Sequence, residues 1–379
     1  MTFKAPSPSP QRVPDALSLA AGLFVDAVTM ASSGLATPAD IDTAMRLGAG
    51  HPVGPLELLG SLNPGTRDRA GLPDPTLSNS GRGPAGGAVA PDDWNHRVGI
   101  VGTGTMASGI VGALLRAGVA TTVLARSAAS AERLRGRVAG GLDKAVTKGR
   151  LDAGARDRTL DSLRLTLDLG DLGDCGHVIE AVAEQPDLKR QLLARLDRVL
   201  PARTVLATNT SSLTVGEVRA ELPRRRTVIA LHFFNPATAM KLVEVVAPDP
   251  AVADAACAWV RRIGKVPVRC GDERGFVVNR LLIPYLNDAV RQLDAGSVTP
   301  AEADALMRDA LGHPMGPFEL IDLIGTDVTL AAQTMLHEAS GEARLQPADG
   351  LRRLVAEGRL GRKSGRGFHD HTATHRSAT

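Results

Sequence analysis

The chain has 379 residues, enough for two or three domains, and 44 basic against 41 acidic residues leave a formal net charge of +3. That balance, with aromatics at 3%, speaks against a nucleic-acid binder, which needs a basic face and stacking surfaces. No apolar run reaches the length of a membrane-spanning helix, and Cys175, Cys257 and Cys270 show no metal-ligand spacing, so they suggest no disulfide framework and fit a reducing cytoplasm.

Residues 1–10 are polar and proline-bearing, and are expected to be disordered. The short apolar run Leu17–Val25 resembles the core of a signal peptide, but a repeat explains it better. From about Pro14 to Met45 the pattern is that of amphipathic helices, and Gly50-His-Pro-Val-Gly-Pro-Leu-Glu-Leu58 follows. Nearly the same segment returns as Gly312-His-Pro-Met-Gly-Pro-Phe-Glu-Leu320. One constant offset of 262 residues also carries Asp26-Ala-Val onto Asp288-Ala-Val, Gly34 onto Gly296 and Thr37-Pro-Ala-Asp onto Thr299-Pro-Ala-Glu. An ungapped match of this length indicates two copies of one helical unit. Thr37 and Thr299 each precede a Pro at the first helical position and an acidic residue at the third, which predicts helix N-caps. Each Gly-His-Pro reads as a helix stop; a functional role for His51 or His313 is the alternative.

The N-terminal copy is assigned to residues 11–62. Residues 63–95 are rich in Gly, Pro, Ser, Asn and Asp with almost no large apolar side chain, which predicts a flexible linker spanning about 30 Å as a coil. Residues 96–271 alternate short apolar strands with helical patterns, as a parallel sheet with crossovers requires. Strands are expected at Arg97–Val101, Val119–Ala125, His177–Ala183, Thr204–Thr208 and Thr227–Leu231. An Arg- and Lys-rich stretch, Ser130–Leu163, is too long for a plain crossover and predicts a helical hairpin. Residues 272–370 form a mainly helical domain, and the tail from His369 is expected to be solvated rather than metal-binding. The fold class is therefore α/β: a Rossmann-type parallel sheet, an all-α C-terminal domain and an N-terminal repeat of that domain.

Gly102-Thr-Gly-Thr-Met-Ala107 follows the first strand and opens a helix, the setting of a dinucleotide fingerprint. Gly102 makes the turn, Gly104 admits the pyrophosphate, and Thr105 and Met106 begin the helix whose N–H groups face it. An acidic residue normally stands at the end of the second strand to hold the adenosine ribose. Here Ala125 is followed by Arg126, which suits a 2′-phosphate and leans the reading to NADP(H) over NAD(H). Downstream, Leu231-His-Phe-Phe-Asn-Pro236 and Lys241-Leu-Val-Glu244 place an imidazole and a carboxylate close in sequence. A carboxylate can fix a histidine tautomer and stabilise its cation, so His232 is a candidate base and Glu244 its partner. A core histidine and a surface carboxylate are the plainer alternatives. Ser211, in Asn209-Thr-Ser-Ser212, can contact substrate or cap a helix near Val215.

The stretch from Arg97 to about Asp370, nearly three quarters of the chain, resembles the L-3-hydroxyacyl-CoA dehydrogenase family, including 3-hydroxybutyryl-CoA dehydrogenases. The residues that carry the likeness are Gly102–Ile110, Val178–Glu184, Asn209–Leu213, Leu231–Pro236, Lys241–Val245, Gly275–Leu281 and Gly361–Phe368. The resemblance implies that His232 is the base, Glu244 its paired carboxylate, Ser211 a ligand of the substrate hydroxyl and Asn279 a substrate contact from the helical domain. It implies that Glu184, Lys189 and Asn209 line the nicotinamide and ribose site, with Asn235 beside the base on the substrate side. Lys144 and Lys148 on the hairpin become candidate contacts for coenzyme A phosphates. The departures are Ala125 for Asp, Ala107 for the third glycine, and Phe368-His where an aromatic pair is usual.

The implied activity is reversible oxidation of a short-chain 3-hydroxyacyl-CoA to the 3-oxoacyl-CoA, of the kind used in fatty acid metabolism. The same chemistry on an acyl-carrier-protein thioester or a small hydroxy acid is the runner-up, and a non-catalytic binding protein is the reading from another class. No metal, nucleic-acid or membrane partner is expected, and the location is cytoplasmic. Asn279 falls on Leu17 in the N-terminal copy, so that copy lacks the substrate-site asparagine. It is expected to serve assembly, as a pseudo-dimer within the chain or alongside a homodimer.

Overall fold

The structure, a computed structural model, describes residues 12–75, 94, 97–223 and 226–372. It divides into a helical unit made from the two ends of the chain and a sheet unit that lies within residues 83–273. The expected disorder of residues 1–10, most of the linker, Arg224, Arg225 and His375 lie outside the described residues.

The N-terminal copy folds as α1 (Arg12–Leu19), α2 (Ala21–Ser32), α3 (Pro38–Ala44), a π-helical turn (Met45–Ala49) and α4 (Pro55–Ser61). Thr37 caps α3 by accepting the Asp40 N–H at 3.1 Å. The linker expected from residue 63 begins later, because α5 (Pro64–Ala70) occupies its start. Asn63 accepts the Thr66 N–H at 2.9 Å, Pro64 stands at the first helical position and left-handed Gly71 closes the helix. The low apolar content of that segment hid these capping residues. Trp94, near the linker's other end, is buried, its ring 4.9 Å from His177 and 6.4 Å from Trp259.

The sheet unit contains β1 (Arg97–Val101), α6 (Thr105–Arg116), β2 (Thr121–Leu124), α7 (Ala128–Thr147), α8 (Ala153–Asp161), β3 (Leu163–Thr166), β4 (Cys175–Glu180) and α9 (Pro186–Val199). It continues with β5 (Val205–Thr208), α10 (Val215–Val218), β6 (Val228–Phe233), β7 (Leu242–Val246), α11 (Pro250–Arg262) and β8 (Val266–Arg269). Strand order is β3-β2-β1-β4-β5-β6-β7-β8; β1 to β6 run parallel, and β7 turns back antiparallel on β6. The charged stretch forms the helical hairpin α7–α8, joined by Arg156 and Asp143 at 2.9 Å. The spacing predicted no strand between the hairpin and His177, yet β3 lies there at the sheet edge. Its four residues carry only two buried side chains, too few to give a periodic signal. Val98, Ile100, Ile110, Leu114, Leu134 and Trp259 belong to one core that binds α6, α7 and α11 to the sheet.

The C-terminal part of the helical unit holds α12 (Val278–Asp294), α13 (Pro300–Leu311), α14 (Pro317–Ile324), α15 (Thr326–Ser340) and α16 (Asp349–Ala356). The repeat is visible residue by residue. Asp42 accepts the Leu56 and Glu57 N–H groups at 2.8 and 3.0 Å, and Asp304 accepts those of Phe318 and Glu319 at 2.9 and 3.2 Å. Arg46 pairs with Glu57, and Arg308 with Glu319. Gly50 and Gly312 are both left-handed helix ends, with φ of 75° and 70°. The two copies pack on each other, α1 on α13 and α2 on α12. Equivalent residues meet: the rings of His51 and His313 stack with centroids 4.1 Å apart, and Arg344 bonds both Asp26 and Asp288. Isologous contacts of this kind are those of a two-fold pair.

The tail is not solvated as far as His371. His369 Nε2 lies 2.6 Å from Asp304 and His371 Nε2 lies 2.9 Å from Asp322, and both carboxylates are buried. The reason is long-range: two buried acids on α13 and α14 recruit the tail, which composition at the tail cannot reveal.

Candidate functional site

The glycine-rich turn links β1 to α6. Gly102 has φ 122°, and a Cβ there would meet the Ala181 carbonyl oxygen at 2.6 Å, so only glycine fits. Gly104 is the N-cap of α6, and a Cβ at Gly104 would meet nothing within 4 Å. Strand order reverses between β1 and β4, the switch point at which open α/β sheets bind ligands. An open N-terminal helix end at that position fits a dinucleotide pyrophosphate. Thr105 opens α6, and the partly buried Met106 side chain packs against the core. Ala125 is buried at the end of β2 and Arg126 beside it is exposed. From α7, Arg137 donates to the Thr103 carbonyl and, at 2.9 Å, to Ser108 Oγ.

The antiparallel turn-back of β7 brings His232 and Glu244 together. His232 and Glu244 are register partners across β6–β7, so their side chains lie on one face. His232 Nδ1 is 2.6 Å from Glu244 Oε2, and both side chains are buried, with Glu244 at 0% exposure. A surface role for Glu244 is excluded. With the proton on Nδ1 facing the carboxylate, Nε2 is the basic nitrogen. The Phe234 ring lies 4.4 Å from the imidazole. Asn209, just past β5, accepts the Phe233 N–H at 2.8 Å and so ties its own turn to the strand that carries His232. Asn235 is exposed in the β6–β7 connection, which Lys265 steadies by donating to the Ala237 and Met240 carbonyls, each at 2.6 Å.

Ser211 sits on the turn after β5, and Glu184 organises that turn. The carboxylate accepts the Ser211 and Ser212 N–H groups at 2.9 and 3.1 Å, the Ser212 hydroxyl at 2.8 Å and the Thr210 hydroxyl. Partial burial opposes its charge, but Lys189 and these donors outweigh that and hold the Glu184 carboxyl below its ordinary range. The helix-cap alternative for Ser211 fails, because Thr214 caps α10 in a capping box with Glu217.

Lys189 lies beneath that turn, paired with two acids. It is 1% exposed, and its ammonium lies 2.8 Å from Glu180 and 3.2 Å from Glu184. Its ammonium is thus held between two carboxylates, one of which, Glu184, organises the Ser211 turn. Glu180 was missed: fully buried in β4, it also accepts the Thr208 hydroxyl at 2.8 Å and the Val182 N–H at 2.7 Å. A lone acid inside the apolar run Val178–Ala183 was the available signal. Lys265 and Arg137 were also missed, as their partners are distant in sequence. Lys144 and Lys148 are exposed on α7, and Asn279 is half-buried in the first turn of α12, in the helical unit. Among the described residues no group of three or more His, Cys, Asp or Glu could hold a metal ion, and no helix is long and apolar enough to cross a membrane.

Comparison with known proteins adds independent findings. A family model described as 3-hydroxyacyl-CoA dehydrogenase, NAD binding domain, matches residues 97–273. The C-terminal domain model of the same family matches twice, at residues 18–70 and 275–371. A 3-hydroxybutyryl-CoA dehydrogenase of Mycobacterium tuberculosis is 42% identical over 284 residues, covering 74% of this chain and 99% of that protein. A 3-hydroxyadipyl-CoA dehydrogenase of Escherichia coli is 40% identical, covering 73% of this chain and 59% of that protein. The solved structure of an (S)-3-hydroxybutyryl-CoA dehydrogenase from Ralstonia eutropha is 34% identical with a TM-score of 0.70, covering 73% of this chain and 99% of that one.

Proposed function

The chain belongs to the 3-hydroxyacyl-CoA dehydrogenase family, and on that premise we propose that His232 and Glu244 are the centre at which it interconverts a short-chain 3-hydroxyacyl-CoA and the 3-oxoacyl-CoA. The observation that carries this assignment is the buried 2.6 Å contact between His232 Nδ1 and Glu244. When bound, the nicotinamide cofactor supplies the hydride acceptor for oxidation and the donor for reduction. His232 Nε2 takes the C3 hydroxyl proton as the alcohol becomes a ketone and returns it in the reverse direction. Glu244 stabilises the imidazolium and holds the tautomer. Ser211, on the turn fixed by Glu184, orients the hydroxyl; Asn209 lines the cofactor side and Asn235 the substrate side. The resemblance supports Asn279 as a contact of the acyl thioester and Lys144 and Lys148 as contacts of coenzyme A phosphates.

Ala125 and Arg126 support use of NADP(H), since no carboxylate stands where a ribose 2′-hydroxyl would be held. Pairing of the two helical copies within one chain takes the place of a homodimer, supported by the stacked His51–His313 pair and the Arg344 cluster. An acyl-carrier-protein thioester is the competing substrate. Oxidation of NADH and NADPH followed by absorbance, with acetoacetyl-CoA and with an acetoacetylated carrier protein, tests the reading. Turnover of neither thioester with either cofactor would sink it.

A further inference from the structure

Arg137 stands midway along α7. Gly141, Lys144 and Lys148 follow on the same face, because steps of four, seven and eleven residues nearly complete whole helical turns. What sets Arg137 apart is its contact with the glycine-rich turn. Its Nε donates to Ser108 Oγ at 2.9 Å, and its terminal amino group donates to the Thr103 carbonyl. Ser108 Oγ donates in turn to the Gly104 carbonyl at 2.8 Å, which also accepts the Ser108 N–H at 3.0 Å.

Each of those carbonyls belongs to a peptide whose N–H faces the opposite way. The Thr103 carbonyl shares its peptide with the Gly104 N–H, and the Gly104 carbonyl shares its peptide with the Thr105 N–H. A guanidinium and a hydroxyl donating to the carbonyl ends orient and polarise both N–H groups, which are the first donors of α6. The fixed positive charge behind the turn adds to the partial charge of the helix end.

We propose that Arg137 is a positioning residue for the dinucleotide pyrophosphate, acting through the Thr103–Thr105 backbone. The proposal rests on the cofactor reading above and extends it to a residue outside the fingerprint. Binding of NADH would be measured by fluorescence titration, with ADP and adenosine as competitors, for the wild type, R137Q, R137K and the charge-matched control R135Q. R137Q is expected to bind NADH and ADP about tenfold more weakly and adenosine unchanged, with saturated turnover preserved. R137K should recover part of the loss, since it restores the charge without the two-point contact, and R135Q should match the wild type. NADH affinity of R137Q within twofold of wild type overturns the proposal, as does an equal weakening of adenosine. If R137Q melts early, S108A decides: it should weaken ADP and spare adenosine, and unchanged ADP binding counts against the proposal. A wild type that binds neither NADH nor NADPH removes the cofactor reading itself, whereas binding that R137Q and S108A leave intact removes only this inference.

Discussion

His232 and Glu244 are twelve positions apart in sequence and directly opposite across β6–β7, which brings Nδ1 within 2.6 Å of the carboxylate. A positioned general base contributes about 10²–10⁴-fold, so His232→Ala should lower kcat by that factor with little effect on thioester binding. Glu244→Gln should cost less, because the amide still accepts the Nδ1–H bond but no longer stabilises the cation. Steady-state rates with acetoacetyl-CoA check both, and near-wild-type turnover of His232→Ala would falsify the assignment.

The pairing of the helical copies converges on one cation. Arg344 lies 2.6 Å from Asp26 and 2.7 Å from Asp288, two residues equivalent under the repeat. Burial pushes both carboxyls above the ordinary range, and Arg344 counters only part of that rise. Arg344→Ala leaves two half-buried acids adjacent without their cation. Because the cluster is partly exposed, a loss of about 1–3 kcal/mol is expected rather than the full penalty of a buried pair. Thermal unfolding should begin several degrees earlier, and an unchanged melting curve would show that the cluster adds nothing.

His177 is fully buried, and among the described residues neither ring nitrogen has a hydrogen-bond partner. Burial pushes its pKa down to about 3; burial likewise takes His51, beside His313, to about 3 and His313 to about 4. Their folded pKa values lie below the unfolded value of about 6.5, so the neutral form is favoured by folding. Their contribution is complete above pH 6.5 and is lost as pH falls toward 4, by roughly 1.4 kcal/mol per pH unit for each histidine. His177→Leu removes the unsatisfied nitrogens and should stabilise the protein at pH 7. It should also flatten the decline between pH 6 and 4 relative to the wild type, read from urea midpoints. Parallel pH profiles for the two proteins would refute the assignment.

Ala125 is buried beside exposed Arg126 at the end of β2. Ala125→Asp supplies the missing carboxylate and should shift the ratio of kcat/KM toward NADH by tenfold or more, since the acid holds a ribose hydroxyl and repels a 2′-phosphate. A ratio that stays put would mean that the second ribose is recognised elsewhere.

Much of the site was legible because its parts are local. The glycine turn, the offset of 262 residues and the neighbouring His and Glu motifs are patterns within short windows. The burial of Lys189 was not legible, because a lysine on an amphipathic helix carries no sign that two acids, Glu180 and Glu184, will enclose it. β3 and α5 were missed because four residues at a sheet edge and seven in a glycine- and proline-rich stretch give little periodicity.

By itself the sequence determined the two helical copies, the glycine turn between β1 and α6, and the residue types at the proposed reacting centre. These follow from spacing, since glycine, caps and apolar period act over a few residues. Only the tertiary structure decided which partners meet: Arg344 between Asp26 and Asp288, Arg137 behind the glycine turn, His369 on Asp304. Charge pairing across long stretches of chain is set by packing, and no local pattern encodes which acid a given base will reach.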